Sequence, residues 1–443
     1  MNRRDFLRYL GAAGSGAILV PIGLSGCAVV PTGDKSISRA SSANHISSGQ
    51  VAYGAPAARP HAAGDGAPRM VVVFLRGAVD GLNVVVPYGD GAYYQARPTI
   101  AVARPGQANG VLDLTGYFGL HPALQPLMPY WQSGQLAFVH ASGSPDSSRS
   151  HFEAQDYMET GTPGQHNTPD GWLNRVMDYL PPAQSPLQTI NVGNATPRIL
   201  SGHNVAANLP TGREATRPSM IDQPRWSQVF DPLYGDDDAL GKAYRDGLAA
   251  RKQLMAEINS QEQQMANNGA PLPNGMSMDT ARLGRLMRHD PRIRLAFLAA
   301  GGWDTHIGQG NGTGQLAARL SPLGAGLATL ARELGPAFND TVIVVMSEFG
   351  RTFRENGNGG TDHGHGNAMW LMGGNLRGGK IYGQWPGLNQ AALNEGRDLA
   401  ITTDFRAVLC ALAEQHMRIP DQALEKIFPQ YASGTKGMST FFI

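Results

Sequence analysis

The segment Thr341–Met372 constrains the fold more than any other part of the sequence. It opens with an uninterrupted apolar and mostly β-branched run, Thr341–Met346, which is typical of a strand buried on both faces of a parallel sheet. The run leads into Ser347–Thr352 and then a glycine-rich loop, after which a second apolar run follows at Ala368–Met372. The segment therefore predicts a core strand whose carboxyl end carries polar side chains.

An earlier segment repeats this arrangement. Ile293–Leu298 predicts a strand, and the loop after it carries Asp304 and His306 two positions apart. His363 and His365 show the same spacing, which in an extended loop turns two side chains to one face. Because ligands of open α/β sheets bind at the carboxyl ends of strands, the two loops predict a single site.

These loops predict a site of mixed carboxylate and imidazole ligands for divalent metal. Such ligands suit Zn²⁺, Mn²⁺ or Fe²⁺, whereas Mg²⁺ and Ca²⁺ prefer oxygen; the identity, Ca²⁺ included, stays open. Each residue alone is more often an ordinary satisfied side chain, and it is their convergence that favours a metal site. The candidate ligands are Asp80, Asp304, His306, Glu348, Asp362, His363 and His365.

The candidate ligand Asp80 and a candidate catalytic residue, Arg351, each have a structural alternative. Asp80 follows the predicted first strand, Met70–Leu75, and is either a metal ligand or the N-cap of a helix. Arg351 either forks onto a substrate oxyanion or pairs with Glu348 and is structural.

A third predicted strand supplies a candidate nucleophile. Leu136–His140 leads into a hydroxyl-rich loop, and a helical pattern follows at Phe152–Glu159. A serine hydroxyl at the positive end of a helix is well placed to attack beside an anionic group. Ser150 is the candidate, with His151 beside it as a further catalytic residue, and the alternative is that one of these serines caps the helix.

The N-terminal segments predict export. Residues 1–27 contain a twin-arginine pattern, an uncharged apolar stretch and a lipobox-like ending at Cys27. We expect the twin-arginine translocase to export the chain and a lipid on Cys27 to anchor it in a bacterial periplasm or cell envelope. A plain signal peptide with an incidental cysteine is the alternative.

The rest of the chain divides into a linker and one domain. Residues 28–68, rich in Ala, Ser, Gly and Pro, predict a flexible linker, and residues 69–443 a single domain. Within it, a composition change predicts an inserted cap at about residues 193–291. The net charge of +1 and the lack of a basic stripe argue against nucleic-acid binding.

The motifs together resemble the bacterial domain-of-unknown-function family 1501. The resemblance covers Arg69 to the C-terminus and rests on a short list of segments: Arg76–Asn83, Arg149–Phe152, Gly302–His306, Ser347–Thr352 and Asp362–Gly366. It implies a branch of the alkaline phosphatase and sulfatase superfamily. The implied fold is a three-layer α/β/α sandwich with a mostly parallel sheet, holding a binuclear metal site.

The resemblance also implies roles for individual residues. Asp80 matches a first-strand metal aspartate, Ser150 the nucleophile, and Glu348 a late-strand aspartate. Asp304 and His306 match an Asp/His metal pair, and His363 or His365 a final histidine. The sequence departs from the superfamily where Glu348-Phe349-Gly350 replaces Asp-His-Gly, and it has no Cys-x-Pro-x-Arg near Ser150.

The predicted function is hydrolysis of phosphate or sulfate esters by an exported enzyme. Two metal ions would activate a seryl oxygen and neutralise the transferred group on an anionic small-molecule or polymer ester. The alternative is a catalytically silent binding protein of the same fold, acting in assembly of a surface or secreted polymer. A redox protein is disfavoured because no Gly-x-Gly-x-x-Gly follows the first strand.

Overall fold

The computed structural model describes residues 53–54, 66–181, 187–212, 234, 238, 241–247, 249, 275–431 and 440–442. The chain divides into two compact units, one of residues 51–218 and 243–443 and the other of residues 1–50 and 219–242. In the second unit only residues 234, 238 and 241–242 are described, and the last two are helical. The predicted signal peptide lies outside the described residues.

The larger unit alternates strands and helices. Its strands are β1 (Tyr53–Gly54), β2 (Arg69–Arg76), β3 (Val85–Val86), β4 (Leu112–Asp113), β5 (Gly119–Leu120), β6 (Leu136–Gly143), β7 (Thr189–Val192), β8 (Ala207–Leu209), β9 (Leu295–Gly301), β10 (Thr341–Ser347), β11 (Asn367–Gly373), β12 (Lys380–Tyr382) and β13 (Thr403–Asp404). Its helices are α1 (Gly81–Val84), α2 (Gly91–Ala96), α3 (Met128–Gln132), α4 (His151–Thr160), α5 (Trp172–Met177), α6 (Met276–His289), α7 (Gln315–Leu334), α8 (Phe405–Gln415) and α9 (Asp421–Ile427).

One large sheet organises this unit. Its strand order is β1-β12-β6-β11-β10-β2-β9-β7-β8, and β13 pairs alongside β6. Strand β11 is antiparallel to both β10 and β6, and β1 is antiparallel to β12, while the other neighbouring pairs are parallel. The small strands β3, β5 and β4 form a separate sheet.

The sheet is buried on both faces. Along β2, Val71 and Val73 pack into one apolar core together with α6 and α7, while Met70 and Val72 pack into a second core with α8 and α9. Alternate residues of a strand point to opposite faces, so a continuous apolar run is what a doubly covered strand requires. This arrangement confirms the predicted α/β fold with a mostly parallel sheet between helical layers.

The predicted core elements agree closely with the structure. The four strands predicted from apolar runs correspond to β2, β6, β9 and β10. The leucines of residues 316–338 recur at helical spacing, which predicts an amphipathic helix, and this segment corresponds to α7. Helix α7 ends earlier than predicted because its C-cap is Gly335 at φ +54°, followed by a short 3₁₀ turn to Asp340. Cys410 is buried in α8, as expected of a small apolar residue.

The predicted cap and linker boundaries need correction. Strand β8 extends the large sheet beside β7, and α6 packs against α7, so both ends of the predicted insertion at residues 193–291 belong to the α/β body. Within the predicted linker, Tyr53–Gly54 pairs with Lys380–Ile381 at the sheet edge. Most of residues 213–274 lie outside the described part of the chain. Among the helices that are described, none is both long and apolar enough to cross a membrane.

Two buried histidines predict a loss of stability in acid. Burial lowers the pKa of His140 and of His416 from 6.5 to about 4. Between these values the unfolded chain binds protons that the folded chain does not, so the free energy of unfolding falls as the pH falls. At about pH 4.5 each of the two imidazoles should lower the free energy of unfolding by roughly 2 kcal/mol.

Urea unfolding at neutral pH and at about pH 4.5 measures this loss. Since His416 Nε2 donates to Arg69 O (2.9 Å), His416→Gln keeps a donor there but does not titrate. We expect this variant to lose less stability on acidification than the wild type. An equal loss of stability in the variant and the wild type would contradict the lowered pKa of His416.

Candidate metal centre

Three segments bring polar side chains to one edge of the large sheet. The loop after β9 supplies Asp304 and His306, and the loop between β10 and β11 supplies His363. His151 is the first residue of α4, which follows β6. Because β11 runs antiparallel, its amino end lies at the same edge as the carboxyl end of β10, and the connecting loop stays at that edge.

Three imidazoles converge through their Nε2 atoms. Nε2 of His363 lies 3.0 Å from Nε2 of His151 and 3.0 Å from Nε2 of His306. The Asp304 carboxylate faces the same three atoms, with Oδ1 3.0 Å from His306 Nε2 and 3.4 Å from His363 Nε2, and Oδ2 3.6 Å from His151 Nε2. We call His151, His306 and His363 the imidazole cluster.

The opposite nitrogen of each imidazole is held by an oxygen acceptor. Nδ1 of His151 donates to Glu348 Oε1 (2.8 Å), and Nδ1 of His306 donates to Asp362 Oδ1 (3.0 Å). Nδ1 of His363 donates to the backbone carbonyl of Arg149 (2.8 Å).

These acceptors place the proton of each neutral imidazole on Nδ1 and leave a lone pair on Nε2. Three lone pairs that face one another at such short distances do not form hydrogen bonds among themselves, and they fit a cation.

The donor set and its spacing suit a divalent metal. Ligand atoms of a tetrahedral zinc site with bonds near 2.0 Å lie about 3.3 Å apart, close to the separations seen here. Among the described residues, His151, Asp304 and His363 form a group whose ligand atoms all lie within 4.8 Å of one another. His306 is outside that group, although its Nε2 lies 3.0 Å from Nε2 of His363. Three imidazoles with one carboxylate suit Zn²⁺, Mn²⁺ or Fe²⁺ better than Mg²⁺.

Hydrogen bonds and burial shift the pKa values of several side chains in and around the centre. Burial acts to raise the pKa of Glu348, but hydrogen bonds from His151 and Gln155 lower it below its ordinary value. The bond to Glu348 in turn raises the pKa of His151. A carboxylate behind an imidazole in this way fixes the ring and raises its basicity as a ligand. Burial lowers the pKa of His363.

Glu348 and Asp362 therefore lie behind the imidazoles, although the sequence suggested them as direct ligands. Glu348 is buried and also accepts from the backbone N–H of Gly77 (2.7 Å) and from Ser347 Oγ (3.0 Å). Asp362 is exposed, and its pKa is lowered first by the hydrogen bond from Asn356 and then by His306. Both carboxylates act here as orienting groups.

Arg351 supports Asp304 and is not free to meet a substrate. Its side chain is fully buried; Nη1 donates to Asp304 Oδ1 (2.6 Å), while Nε and Nη2 bond to Thr361. Burial acts to raise the pKa of Asp304, and the bond from Arg351 lowers it, so the carboxylate stays ionised. The structure thus corrects the predicted pairing of Arg351 with Glu348, since the carboxylate that Arg351 contacts is that of Asp304.

Asp80 lies outside the centre and has a structural partner. Its carboxylate is buried and accepts from both terminal nitrogens of Arg97 (2.6 and 3.1 Å) and from Gln309 Nε2 (2.7 Å). Although Asp80 occupies the N-cap position of α1, its side chain makes no capping bond. Neither the metal role nor the capping role expected of Asp80 is met.

Breaking this buried pair should destabilise the fold without affecting the centre directly. Asp80→Asn removes the charge that compensates Arg97, and we expect the free energy of unfolding to fall by about 3 kcal/mol. Urea unfolding measures the change, and the double variant Asp80→Leu/Arg97→Met, which leaves no unpaired charge, should be more stable than Asp80→Asn. A single variant as stable as the wild type would contradict the structural role.

His365 is also separate from the imidazole cluster. It lines a small cavity together with Glu348, Ser144, Asp146 and Tyr157. Burial lowers the pKa of His365.

Ser150 stands at the N-cap of α4 with its side chain exposed. Its hydroxyl forms no capping bond; the hydroxyl of Ser148 instead accepts from the Ser150 N–H (3.3 Å) and donates to Glu153 (2.6 Å). The alternative in which the Ser150 side chain caps the helix is therefore not realised.

The sequence predicted His151 as a catalytic residue beside Ser150, and the structure places its Nε2 in the imidazole cluster, 3.0 Å from Nε2 of His363. A signal was present: His151 follows a strand that ends at the same sheet edge, in a loop rich in polar residues. The support from Gln155 and Asn356 had no sequence signal, because single amides occur throughout polar loops.

Close backbone contacts set the shape of the loops. A Cβ at Gly350 would lie 1.8 Å from the carbonyl oxygen of Gly366, so only glycine allows the two sides of the β10–β11 loop to meet. Gly77 has φ +117° and its Cβ would lie 2.8 Å from the N of Asp304, which lets the β2 loop reach Glu348.

The match to a protein family covers the candidate metal centre. The model of a family described as "Protein of unknown function (DUF1501)" matches residues 115–428, which include the whole centre but begin after Arg69 and Asp80. No curated protein matches the chain.

Several solved structures are similar to the chain at low identity. One is the C-terminal periplasmic domain of EcEptC from Escherichia coli, with 11% identity, 87% of this chain and 96% of that chain covered, and a TM-score of 0.36. Another is an alkaline phosphatase superfamily protein from Vibrio parahaemolyticus, with 10% identity, coverage of 71% and 62%, and a TM-score of 0.25. TAB5 alkaline phosphatase, as a mutant with Mg bound, has 11% identity, coverage of 69% and 91%, and a TM-score of 0.28.

Proposed function

The chain belongs to the DUF1501 family, and we propose that it is an exported metal-dependent hydrolase of phosphate or sulfate esters. The observation that carries the proposal is the arrangement of three imidazoles whose Nε2 atoms lie close together and close to the Asp304 carboxylate. Each ring is held at Nδ1 by an oxygen acceptor. In this proposal the imidazole cluster and Asp304 hold a divalent ion. A second ion remains part of the proposal, without residues assigned to it.

The bound ion would supply Lewis acidity, neutralising charge on the oxygens of the transferred group. The chain's own residues do the rest. Ser150, next to His151 and uncommitted to the helix cap, is the proposed nucleophile. The N-terminus of α4 favours the negative charge that develops on its oxygen. Arg351 keeps Asp304 ionised and fixed, and Glu348 and Asp362 hold two rings in position.

The test combines metal analysis with an ester screen on the full chain. After expression with Zn²⁺, Mn²⁺ and Fe²⁺ supplied, we expect stoichiometric metal by mass spectrometry and turnover of p-nitrophenyl phosphate or sulfate. A chelator should remove both, and one of the three metals added back should restore both. A folded protein that binds no metal would reject the proposal.

A second candidate function is a catalytically silent binding protein, and the burial of Arg351 favours it. The cation expected to meet a substrate oxyanion is instead committed to Asp304 and Thr361. Stoichiometric metal without turnover of any phosphate or sulfate ester would support this candidate and reject the hydrolase.

We also propose that the chain is exported by the twin-arginine translocase and anchored through a lipid on Cys27. The support is the Arg3-Arg4 pair, the apolar stretch after it and the lipobox-like segment that ends at Cys27. Cys27→Ser should move the protein from the membrane fraction to the released fraction of the cell envelope, and an unchanged distribution would reject the anchor.

A further inference from the structure

Asp398 is a fully buried carboxylate that binds two arginines outside the imidazole cluster. Its Oδ2 accepts from Nη2 of Arg149 (2.9 Å) and from Nη1 of Arg397 (3.1 Å). The side chains of the two arginines are 33% and 39% exposed, whereas that of Asp398 is 0% exposed. Because a buried carboxylate is costly unless it is paired, this charge is unusual enough to need a reason.

Both arginines also contact His363. Nη2 of Arg397 donates to the His363 carbonyl (2.8 Å), and the Arg149 carbonyl accepts from His363 Nδ1 (2.8 Å). The Asp398 carboxylate is thus connected by two routes to one ligand, to its backbone through Arg397 and to its ring through Arg149. The other two rings of the cluster are held at Nδ1 by carboxylates, and this ring is held by a neutral carbonyl.

The backbone around Asp398 is fixed to the loop between β10 and β11. The N–H of Phe353 donates to the Arg397 carbonyl (3.1 Å), and the N–H of Gly366 donates to the Leu399 carbonyl (2.8 Å). This short segment therefore pairs with the outgoing and the returning part of the loop that carries the ligand. Since these bonds join backbone atoms, they do not require the carboxylate. A substitution at Asp398 can then remove the charge and leave the segment in place.

We propose that Asp398 is a positioning residue for the metal ligand His363. It acts through Arg397, which fixes the ligand's backbone, and through Arg149, whose carbonyl keeps the ring proton on Nδ1 and the lone pair on Nε2. That carbonyl belongs to the peptide joining Arg149 to Ser150, so one support serves the ligand and the proposed nucleophile. The inference rests on the proposed function, because it takes the imidazole cluster to bind a metal ion.

The first test is the metal affinity of Asp398→Asn in the full chain. Asparagine keeps the shape and one acceptor oxygen but lacks the charge that attracts both guanidinium groups. Partners behind a metal-bound imidazole typically contribute ten- to a hundredfold to affinity. Asp398 acts one contact further out, so we expect the Kd for Zn²⁺ to rise about tenfold. Competition with a chelator of known affinity measures it.

A spectroscopic measurement reports the geometry of the site. The wild type and Asp398→Asn are each saturated with Co²⁺, whose visible absorption depends on the arrangement of its ligands. We expect the spectrum of the variant to differ from that of the wild type, because the His363 ring is no longer held in one orientation. A change in stability alone would not move this spectrum, since both proteins are folded and fully loaded.

Two control variants separate positioning from general effects of charge removal. Glu395→Gln removes the other carboxylate on Arg149 (2.7 Å), but Glu395 is 60% exposed, and exposed ion pairs contribute little. Asp80→Asn leaves the fully buried Arg97 unpaired, so it should destabilise the fold at least as much as Asp398→Asn. Both controls should keep the wild-type Kd and Co²⁺ spectrum, and thermal unfolding compares the stabilities.

A second variant tests the route through Arg397. Arg397→Met removes the bond to the His363 carbonyl at a partly exposed position, and it should also raise the Kd. Because both substitutions interrupt the same route, the double variant Asp398→Asn/Arg397→Met should raise the Kd by less than the product of the two single effects.

A wild-type Kd and Co²⁺ spectrum in folded Asp398→Asn would overturn the inference. An equal rise of the Kd in either control would also overturn it. If Asp398→Asn does not fold, a wild-type Kd in Arg397→Met decides against the inference. Metal binding that depends on Asp398, without ester turnover, would keep this inference and reject the hydrolase. Turnover with unchanged metal affinity in Asp398→Asn would do the reverse, and a wild type that binds no metal would overturn both.

Discussion

Ser150→Ala should lower the turnover of a phosphate or sulfate ester on the order of a thousandfold or more while the metal content stays at the wild-type level. Removing a nucleophile leaves only the acceleration that binding and charge neutralisation provide. The Ser150 hydroxyl forms no cap bond, so its loss should cost the helix little. Steady-state kinetics with metal analysis of the same samples makes the measurement.

The matched control for this variant is Ser147→Ala. Ser147 is exposed in the same loop, and we assign it no role in the centre, so turnover should stay at the wild-type level. Wild-type turnover in Ser150→Ala, with metal in place, would reject Ser150 as the nucleophile. The attacking oxygen would then have to come from a water molecule.

His363→Ala should weaken metal binding roughly a thousandfold, since a fully ligated site of this kind is worth about 10–16 kcal/mol and each ligand a sizeable share. His363 is the ring that faces both other imidazoles, and its Nδ1 is held by the Arg149 carbonyl, so no neighbour can take its place. Competition with a chelator of known affinity gives the ratio of dissociation constants.

The control lies two residues away in the same loop. His365→Ala removes an imidazole that lines the small cavity beside Glu348 and should keep stoichiometric metal. Circular dichroism and thermal unfolding of both variants show whether the fold is retained. Equal metal loss in the two variants would mean that the loop as a whole, and not the Nε2 of His363, holds the ion.

The core of the fold was predictable because its signal is local. An uninterrupted apolar run such as Val342–Met346 has a single reading at that length, which is a strand covered on both faces. Strand β8 gave no such signal. It has only three residues, Ala207–Leu209, of which one is polar, and it joins the sheet through pairing with β7, which is a tertiary effect.

The centre was predictable in its location but only partly in the roles of its residues. Position after a strand correctly brought Asp304, His306 and His363 to one edge. The same rule included Asp80, whose partner Arg97 lies in a different local segment and is identified only by the folded contact. Spacing does not distinguish a carboxylate that faces the centre from one behind an imidazole, so Glu348 was predicted as a ligand although its carboxylate bonds to His151 Nδ1.

The hairpin between β10 and β11 has a consequence for how this family can diversify. Residues 348–366 leave the sheet and return to it between two neighbouring antiparallel strands, so both ends of the loop are anchored side by side. A parallel return would have needed a crossover to the opposite edge. Exchanging this loop between relatives would therefore move Glu348, Arg351, Asp362 and His363 together. Such an exchange would change the side chains of the centre and would keep the strand order of the recipient protein.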